Sequence, residues 1–409
     1  MHRPRKRGGI EMIRNFFRRL SLALALSAPV LGALPLAGSA RAAVRPQAAV
    51  YFPNWNVYSN ESQQVKNLPW SKLDCVYHAF WKIVPENGGY AVVSTDPWAD
   101  TDKSNPLAHF PQYAQMKRQY PDVSVMLSIG GWTCSGLFSE MCLTAAGRQS
   151  FIQSCLNALD AYPFLSGIDL DWEYPGEARK GGGGNEGNPV VGDDKTNYTL
   201  LLKELRAALD GRFGKGAKQL TVCCAASTDI LKKQDYAALF PYVNRINVMT
   251  YDMTASYDSQ TGHQSALYGP VSADTAVKYL MKQGVPAGKI CIGSPLYGHG
   301  WRVSAPADSP VGAKAQGLSS SPLWKQLQKL ETAPGWQAGY DEGAQAAYLY
   351  NSDKASPDYG VFYTYDSARS LDAKLKYIRV HSLGGLIVWQ SGGDDGSYSM
   401  LSRVYQGLH

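Results

Sequence analysis

The chain has 409 residues, of which 44% are apolar, 11% aromatic and 18% charged. That composition excludes a disordered tail or a disulfide-stapled miniprotein, because it can bury a sizeable core. The formal charge of +6 does not indicate a polyanionic partner: residues 1–42 hold eight of the 40 basic residues and the acid Glu11, leaving 32 bases against 33 acids, so no nucleic-acid footprint is expected.

The basic opening runs into residues 20–37 (LSLALALSAPVLGALPLA), followed by Ala40-Arg41-Ala42. Basic, apolar and small-residue regions in that order predict an export signal peptide cut after about Ala42, hence a secreted chain without stable membrane association after cleavage. A membrane anchor is the competing reading, although eighteen residues interrupted by Pro29 and Pro35 are short for a span of about 20. Arg18-Arg19 leaves the twin-arginine and general export routes both open. Export implies an oxidising destination, where the seven cysteines matter. An odd number leaves at least one unpaired within one chain. Cys134 and Cys142, at the ends of CSGLFSEMC, are the disulfide candidates; Cys75, Cys223 and Cys291 lie in apolar runs and read as buried small hydrophobes.

Eight β-rich runs follow, at residues 48–52, 75–80, 123–129, 167–171, 219–225, 245–250, 289–294 and 385–389. Most are followed by amphipathic helical stretches, which predicts an α/β fold, a (β/α)8 TIM barrel over residues 43–409. In one such stretch Asp194 is the expected cap, and Tyr198, Leu201, Leu202, Leu205 and Leu209 form one apolar stripe. The last begins after Asp366, carries Leu371, Leu375 and Ile378 on one face, and is expected to stop at Gly384-Gly385. From Ile292 to Ile387 the chain runs 95 residues, against about 30 for one barrel repeat. The excess predicts a small α+β insertion between the seventh and eighth strands, roughly residues 300–358. KGGGGNEG (residues 180–187) lacks the Lys-Ser/Thr of a phosphate loop and reads as a mobile surface loop.

The strongest chemical signal is SGIDLDWEYPG (residues 166–176). Asp169, Asp171 and Glu173 are spaced by two, so an extended strand projects all three carboxylates to one face and Ile168, Leu170 and Trp172 to the other. In a barrel the acidic face is the interior, at the C-terminal mouth. Burying three adjacent acids costs several kcal/mol unless protons or cations are shared, which argues for function over packing. A Mg²⁺ or Ca²⁺ site is the rival reading on spacing alone. No H-x-H or lysine of the usual metal barrels ends another strand, so neither metal nor other cofactor is expected.

This segment resembles the signature of glycoside hydrolase family 18, the chitinases and endo-β-N-acetylglucosaminidases, whose fourth strand carries D-G-x-D-x-D-W-E-Y-P; Ser166 stands where the first Asp usually is. The likeness continues in order through YFPNW (51–55), VYHAF (76–80), SIGGW (128–132), MTYDM (249–253), YLYN (348–351), YTYDSARSL (363–371) and GGLIVWQ (384–390). The resemblance implies substrate-assisted hydrolysis, an exception to the two-carboxylate rule. In it Glu173 is acid and then base, the 2-acetamido group of the sugar is the nucleophile, and Asp171 orients that group. Asp169 would share a proton with Asp171, and the charge of Asp171 would raise the Glu173 pKa. Tyr251 would donate to the acetamido oxygen, and Asp252 would bond the sugar beside Met249. Trp389 would floor the subsite, with Trp132 and Trp55 stacking on further sugars. In PLYGHGW (295–301) Tyr297 matches, but His299 replaces a common arginine and reads as structural. The implied partner is chitin or chitooligosaccharides, bound by a monomer. An endoglycosidase acting on N-glycans and a chitin-binding lectin on the same barrel are the alternatives; such lectins typically lack the terminal acid, which Glu173 supplies.

Overall fold

The computed structural model describes residues 45–59, 63–304 and 309–409. The expected export signal, residues 1–42, lies outside the described residues. Among those described, no helix is long and apolar enough to cross a membrane.

Eight parallel strands form a closed ring: β1 (Gln47–Pro53), β2 (Cys75–Glu86), β3 (Ser124–Gly130), β4 (Gly167–Asp171), β5 (Gln219–Ala225), β6 (Arg245–Met249), β7 (Ile290–Pro295) and β8 (Gly385–Trp389). They pair in chain order, and β1 bonds both β2 and β8 to close the barrel. Both faces of each strand are covered, which is why the runs read as nearly continuous apolar sequence. Along β1, Val50 and Phe52 join the outer core between strands and helices, whereas Ala49 and Tyr51 join the cluster inside the ring. Seven strands lie within a residue or two of their expected limits. β2 instead runs on to Glu86 and pairs back antiparallel with Gly89–Ser94.

The helix Asp194–Phe213 buries the predicted stripe, but its cap lies one residue earlier than expected. Asp193 accepts from the Thr196 amide at 3.2 Å. Asp194 instead accepts from Ser139 Oγ (2.5 Å) and from the Gly176 amide (2.9 Å), tying the helix start to the loop after β4. The helix Ala368–Val380 ends short of Gly384, because Ser382 takes a left-handed φ of 52° and turns the chain toward β8. A further helix, Ser399–Leu408, had not been expected.

Between β7 and β8 lies a five-stranded antiparallel sheet with spatial order Ala315–Gly317, His299–Val303, Val361–Tyr365, Ala346–Asn351, Trp336–Asp341. Val361–Tyr365 pairs with His299–Val303, so the sheet closes beyond residue 358. Its own core holds Trp301, Val303, Tyr350 and Phe362. All seven cysteines are free thiols. The expected Cys134–Cys142 bond is therefore absent: Cys142 is buried in the outer core with Phe138 and Met141, while Cys134 sits half-buried beside the Thr133 hydroxyl.

Candidate active site

Strict alternation along β4 sets the site. Ile168, Leu170 and Trp172 face outward and are fully buried, with the Trp172 ring 5.2 Å from both Phe138 and Tyr198. Asp169 and Asp171 point into the barrel. Asp169 is inaccessible to solvent, and its oxygens accept from Thr221 Oγ1 (2.6 Å), Ser128 Oγ (2.8 Å), Tyr51 Oη (3.0 Å) and Asn247 Nδ2 (3.5 Å). Burial raises its pKa, and the hydroxyl donors pull it partly back. A carboxyl ringed by three hydroxyls and an amide is held by hydrogen bonds, and this donor set does not fit the cation site that spacing alone allowed.

Asp171 is buried, and its Oδ1 has no hydrogen-bond partner among the described residues. Burial first, then the charges of Glu173 and Asp169, hold its pKa well above the ordinary carboxylate range. In this arrangement burial and the two neighbouring carboxylates disfavour the charged form of Asp171.

Glu173 sits just past the end of β4 at the mouth, buried. Its main chain is fixed from the loop that follows the preceding strand, β3. The Glu173 amide donates to Ser135 Oγ (3.0 Å), Ser135 Oγ donates to the Gly131 carbonyl (2.9 Å), and the Gly131 amide donates to the Asp171 carbonyl (2.7 Å). This approach needs the two glycines of SIGGW. Gly130 and Gly131 have φ of 113° and 83°, and a Cβ on Gly130 would lie 2.2 Å from the Asp171 carbonyl oxygen. Burial pushes the Glu173 pKa up to about 7; Tyr174 and Arg179 pull it down, and Asp252 pushes it up.

Glu173 and Asp171 open into a cleft of about 270 Å³, walled by Trp55, Trp132, Met249, Tyr251, Asp252 and Trp389 among others. The Trp389 ring lies 5.6 Å from Phe80, 5.7 Å from Tyr51 and 6.1 Å from Trp55, an aromatic floor. Trp55 and Trp132 keep 45% and 49% of their surface exposed, so each presents a free ring face. Tyr251 is seated against β7, where Gly293 leaves room: a Cβ there would lie 2.6 Å from the Tyr251 ring. Gly293→Ala is expected to displace that ring and lower kcat by at least about tenfold, since misplacing a preorganised donor weakens its contribution. Steady-state kinetics showing wild-type kcat in that variant would remove Tyr251 from the reaction.

Eight of the ten sequence-derived site residues line this one cleft. The other two do not. Asp169 lies beneath it, and Tyr297 reaches it through Asp252, donating to Oδ1 at 2.5 Å. His299 is satisfied as expected, but by the same Asp252 oxygen, at 2.7 Å. Sequence reasoning missed Tyr51, Phe80 and Tyr174 as wall residues, although YFP, HAF and WEYP carried them. It also missed Arg179, whose guanidinium stacks 3.7 Å from the Trp132 ring centroid and donates to the Trp132 carbonyl. The glycine-rich segment beside it is a bridged hairpin, with Arg179 pairing Asn188 and Gly182 pairing Asn185. It is exposed, but Glu186 ties it to the Thr133 carbonyl at 2.9 Å. Asn188 donates to the Tyr174 carbonyl at 2.7 Å.

A model of the family described as "Glycosyl hydrolases family 18" matches residues 47–394. Chitinase A of Pseudoalteromonas piscicida is 30% identical over 439 residues, covering 88% of this chain and 52% of that protein. Chitinase 1 of Aphanocladium album is 29% identical, covering 96% of this chain and 93% of its own length. The chain thus spans about half the length of the first relative and nearly all of the second. Among solved structures, Chitinase ChiA74 from Bacillus thuringiensis superposes with a TM-score of 0.79 at 26% identity, covering 89% of this chain and 70% of the other.

Proposed function

Because the chain belongs to glycoside hydrolase family 18, we propose that it is an exported, monomeric chitinase that hydrolyses β-1,4 bonds between N-acetylglucosamine units with retention. The observation that carries this reading is Glu173: a carboxylic acid buried at the barrel mouth, with a pKa pushed up to about 7, facing the same cleft as Asp171 and Tyr251. Such an acid is protonated near neutrality and can deliver its proton to a departing glycosidic oxygen. The second carboxylate, Asp171, is the last residue of β4, two positions before Glu173, which supports an orienting role rather than an independent nucleophile. The sugar's own acetamido carbonyl then attacks the anomeric carbon and gives an oxazolinium ion, and Glu173 next removes a proton from the incoming water.

Asp171 acts by turning. Its Oδ1 gives up no hydrogen bond when it swings toward Glu173, and Asp169, whose pKa is also raised, can take the proton it leaves. The ionised Asp171 then accepts from the acetamido N–H and steadies the developing positive charge, while the Tyr251 hydroxyl donates to the acetamido oxygen. Trp389 offers the flat floor on which the reacting sugar rests. Asp252, held by Tyr297 and His299, is placed to bond it. His299 opens a strand of the five-stranded insertion, which thereby reaches Asp252.

Two measurements test the proposal. A thiazoline analogue of the oxazolinium should inhibit with a Ki at least ~10²-fold below the substrate Kd, as a mimic of a high-energy intermediate does; weak inhibition would remove the substrate-assisted route. Product analysis on chitohexaose beside a high-mannose glycopeptide should show cleavage of the first alone; release of the glycan would convert the reading to an endoglycosidase. The pH profile follows from the acid: kcat/KM should fall as pH rises through about 7, where Glu173 loses its proton.

A further inference from the structure

Outside the ring, behind β2, three fully buried residues converge where sequence had offered no function. His78 points outward from β2, Asp100 ends the short helix Pro97–Asp100, and His109 opens the helix His109–Gln119. One ligand atom from each lies within 4.8 Å of the others. His78 Nε2 is 2.9 Å and His109 Nδ1 3.7 Å from the same oxygen, Asp100 Oδ1. Both imidazoles thus meet Asp100 Oδ1 as close charged contacts, while His78 Nδ1 and His109 Nε2 have no hydrogen-bond partner among the described residues.

The other carboxylate oxygen is differently placed. Asp100 Oδ2 accepts from Trp81 Nε1 (3.0 Å) and Ser94 Oγ (2.5 Å). Those two donors lock the carboxylate so that Oδ1 faces the imidazoles, as outer partners orient a ligating group. The surroundings are aromatic: the Phe52 ring is 5.0 Å from His109, and Phe110 is 5.0 Å from His78. Leaving such polar atoms unpaired in an apolar pocket is unfavourable.

We propose that His78, Asp100 and His109 form a structural Zn²⁺ site, distinct from the catalytic carboxylates, with the Tyr113 hydroxyl or a water as fourth ligand. Two imidazoles and one carboxylate are a donor set for zinc. Tetrahedral geometry with bonds of about 2.0–2.2 Å puts ligand atoms about 3.3 Å apart, and the two separations at Oδ1, 2.9 and 3.7 Å, bracket that value. Tyr113 lies one helical turn after His109, its ring 5.5 Å from His78 and its buried hydroxyl without a partner. A cation there would engage the free carboxylate oxygen and a lone pair on each ring. Because the site is sealed, the metal would enter during folding and stabilise the helix against the barrel wall.

The test uses the exported chain, purified without a polyhistidine tag from cultures supplied with Zn²⁺ or with Co²⁺. Elemental analysis should find about one metal per chain, and the Co²⁺ form should absorb in the visible as a tetrahedral centre. Asp100→Asn and His109→Gln, which preserve volume, should each lower the content below about 0.2 per chain and lose the visible band. Wild-type chain from both cultures carrying less than about 0.1 metal per chain would overturn the proposal whether or not the variants fold. So would an Asp100→Asn/His109→Gln double variant that keeps the wild-type content.

Discussion

Glu173→Gln should fold normally and lose at least ~10³-fold in turnover of chitohexaose, because one carboxyl performs both proton transfers. Glutamine keeps the volume and leaves intact the Ser135 and Gly131 hydrogen bonds, which belong to the main chain. The loss should fall on kcat, with KM little changed, since the aromatic walls are untouched. Stability should move the other way. The Glu173 pKa rises from 4.5 to about 7 on folding, so its contribution to stability is full below pH 4.5 and is lost as pH rises through about 7. The amide removes a penalty on the order of 3 kcal/mol at pH 8, and Tm there should be equal to or above that of the parent. Activity within tenfold of the parent would remove Glu173 from the chemistry.

Asp171→Asn should cost ~10²–10³-fold in kcat on polymeric substrate, by removing the charge that faces the oxazolinium. It also carries a signature that general damage would lack. A turned, ionised Asp171 raises the Glu173 pKa by repulsion; its neutral replacement cannot, so the alkaline limb of the kcat profile should move to lower pH. Unchanged rates with an unmoved limb would contradict the orienting role.

Much of this architecture was readable from one chain. The strands and the Leu201–Leu209 stripe followed from periodicity, because both faces of a barrel strand and one face of its helix are apolar. The three acids were readable because a spacing of two has one geometric outcome in a strand. What escaped was set by partners distant in sequence. The donors around Asp169 come from residues as far away as Tyr51 and Asn247, and strand register decides whether they meet it. Arg179 lay in a segment whose glycines read as a loop, and only its stack on Trp132 places it at the cleft. The Asp194 cap missed by one residue, since two adjacent aspartates can each start a helix and a tertiary partner, Gly176, claimed the second.

The ring of donors on Asp169 ties reactivity to topology. Its partners stand on β1, β3, β5 and β6, and no open sheet of neighbouring strands could bring all of them together. A half-molecule severed between β4 and β5 would retain Tyr51 and Ser128 yet forfeit Thr221 and Asn247, stranding a carboxyl without half its donors. The acid thus works as an internal audit of assembly: its full set of donors is present only once the circle is complete.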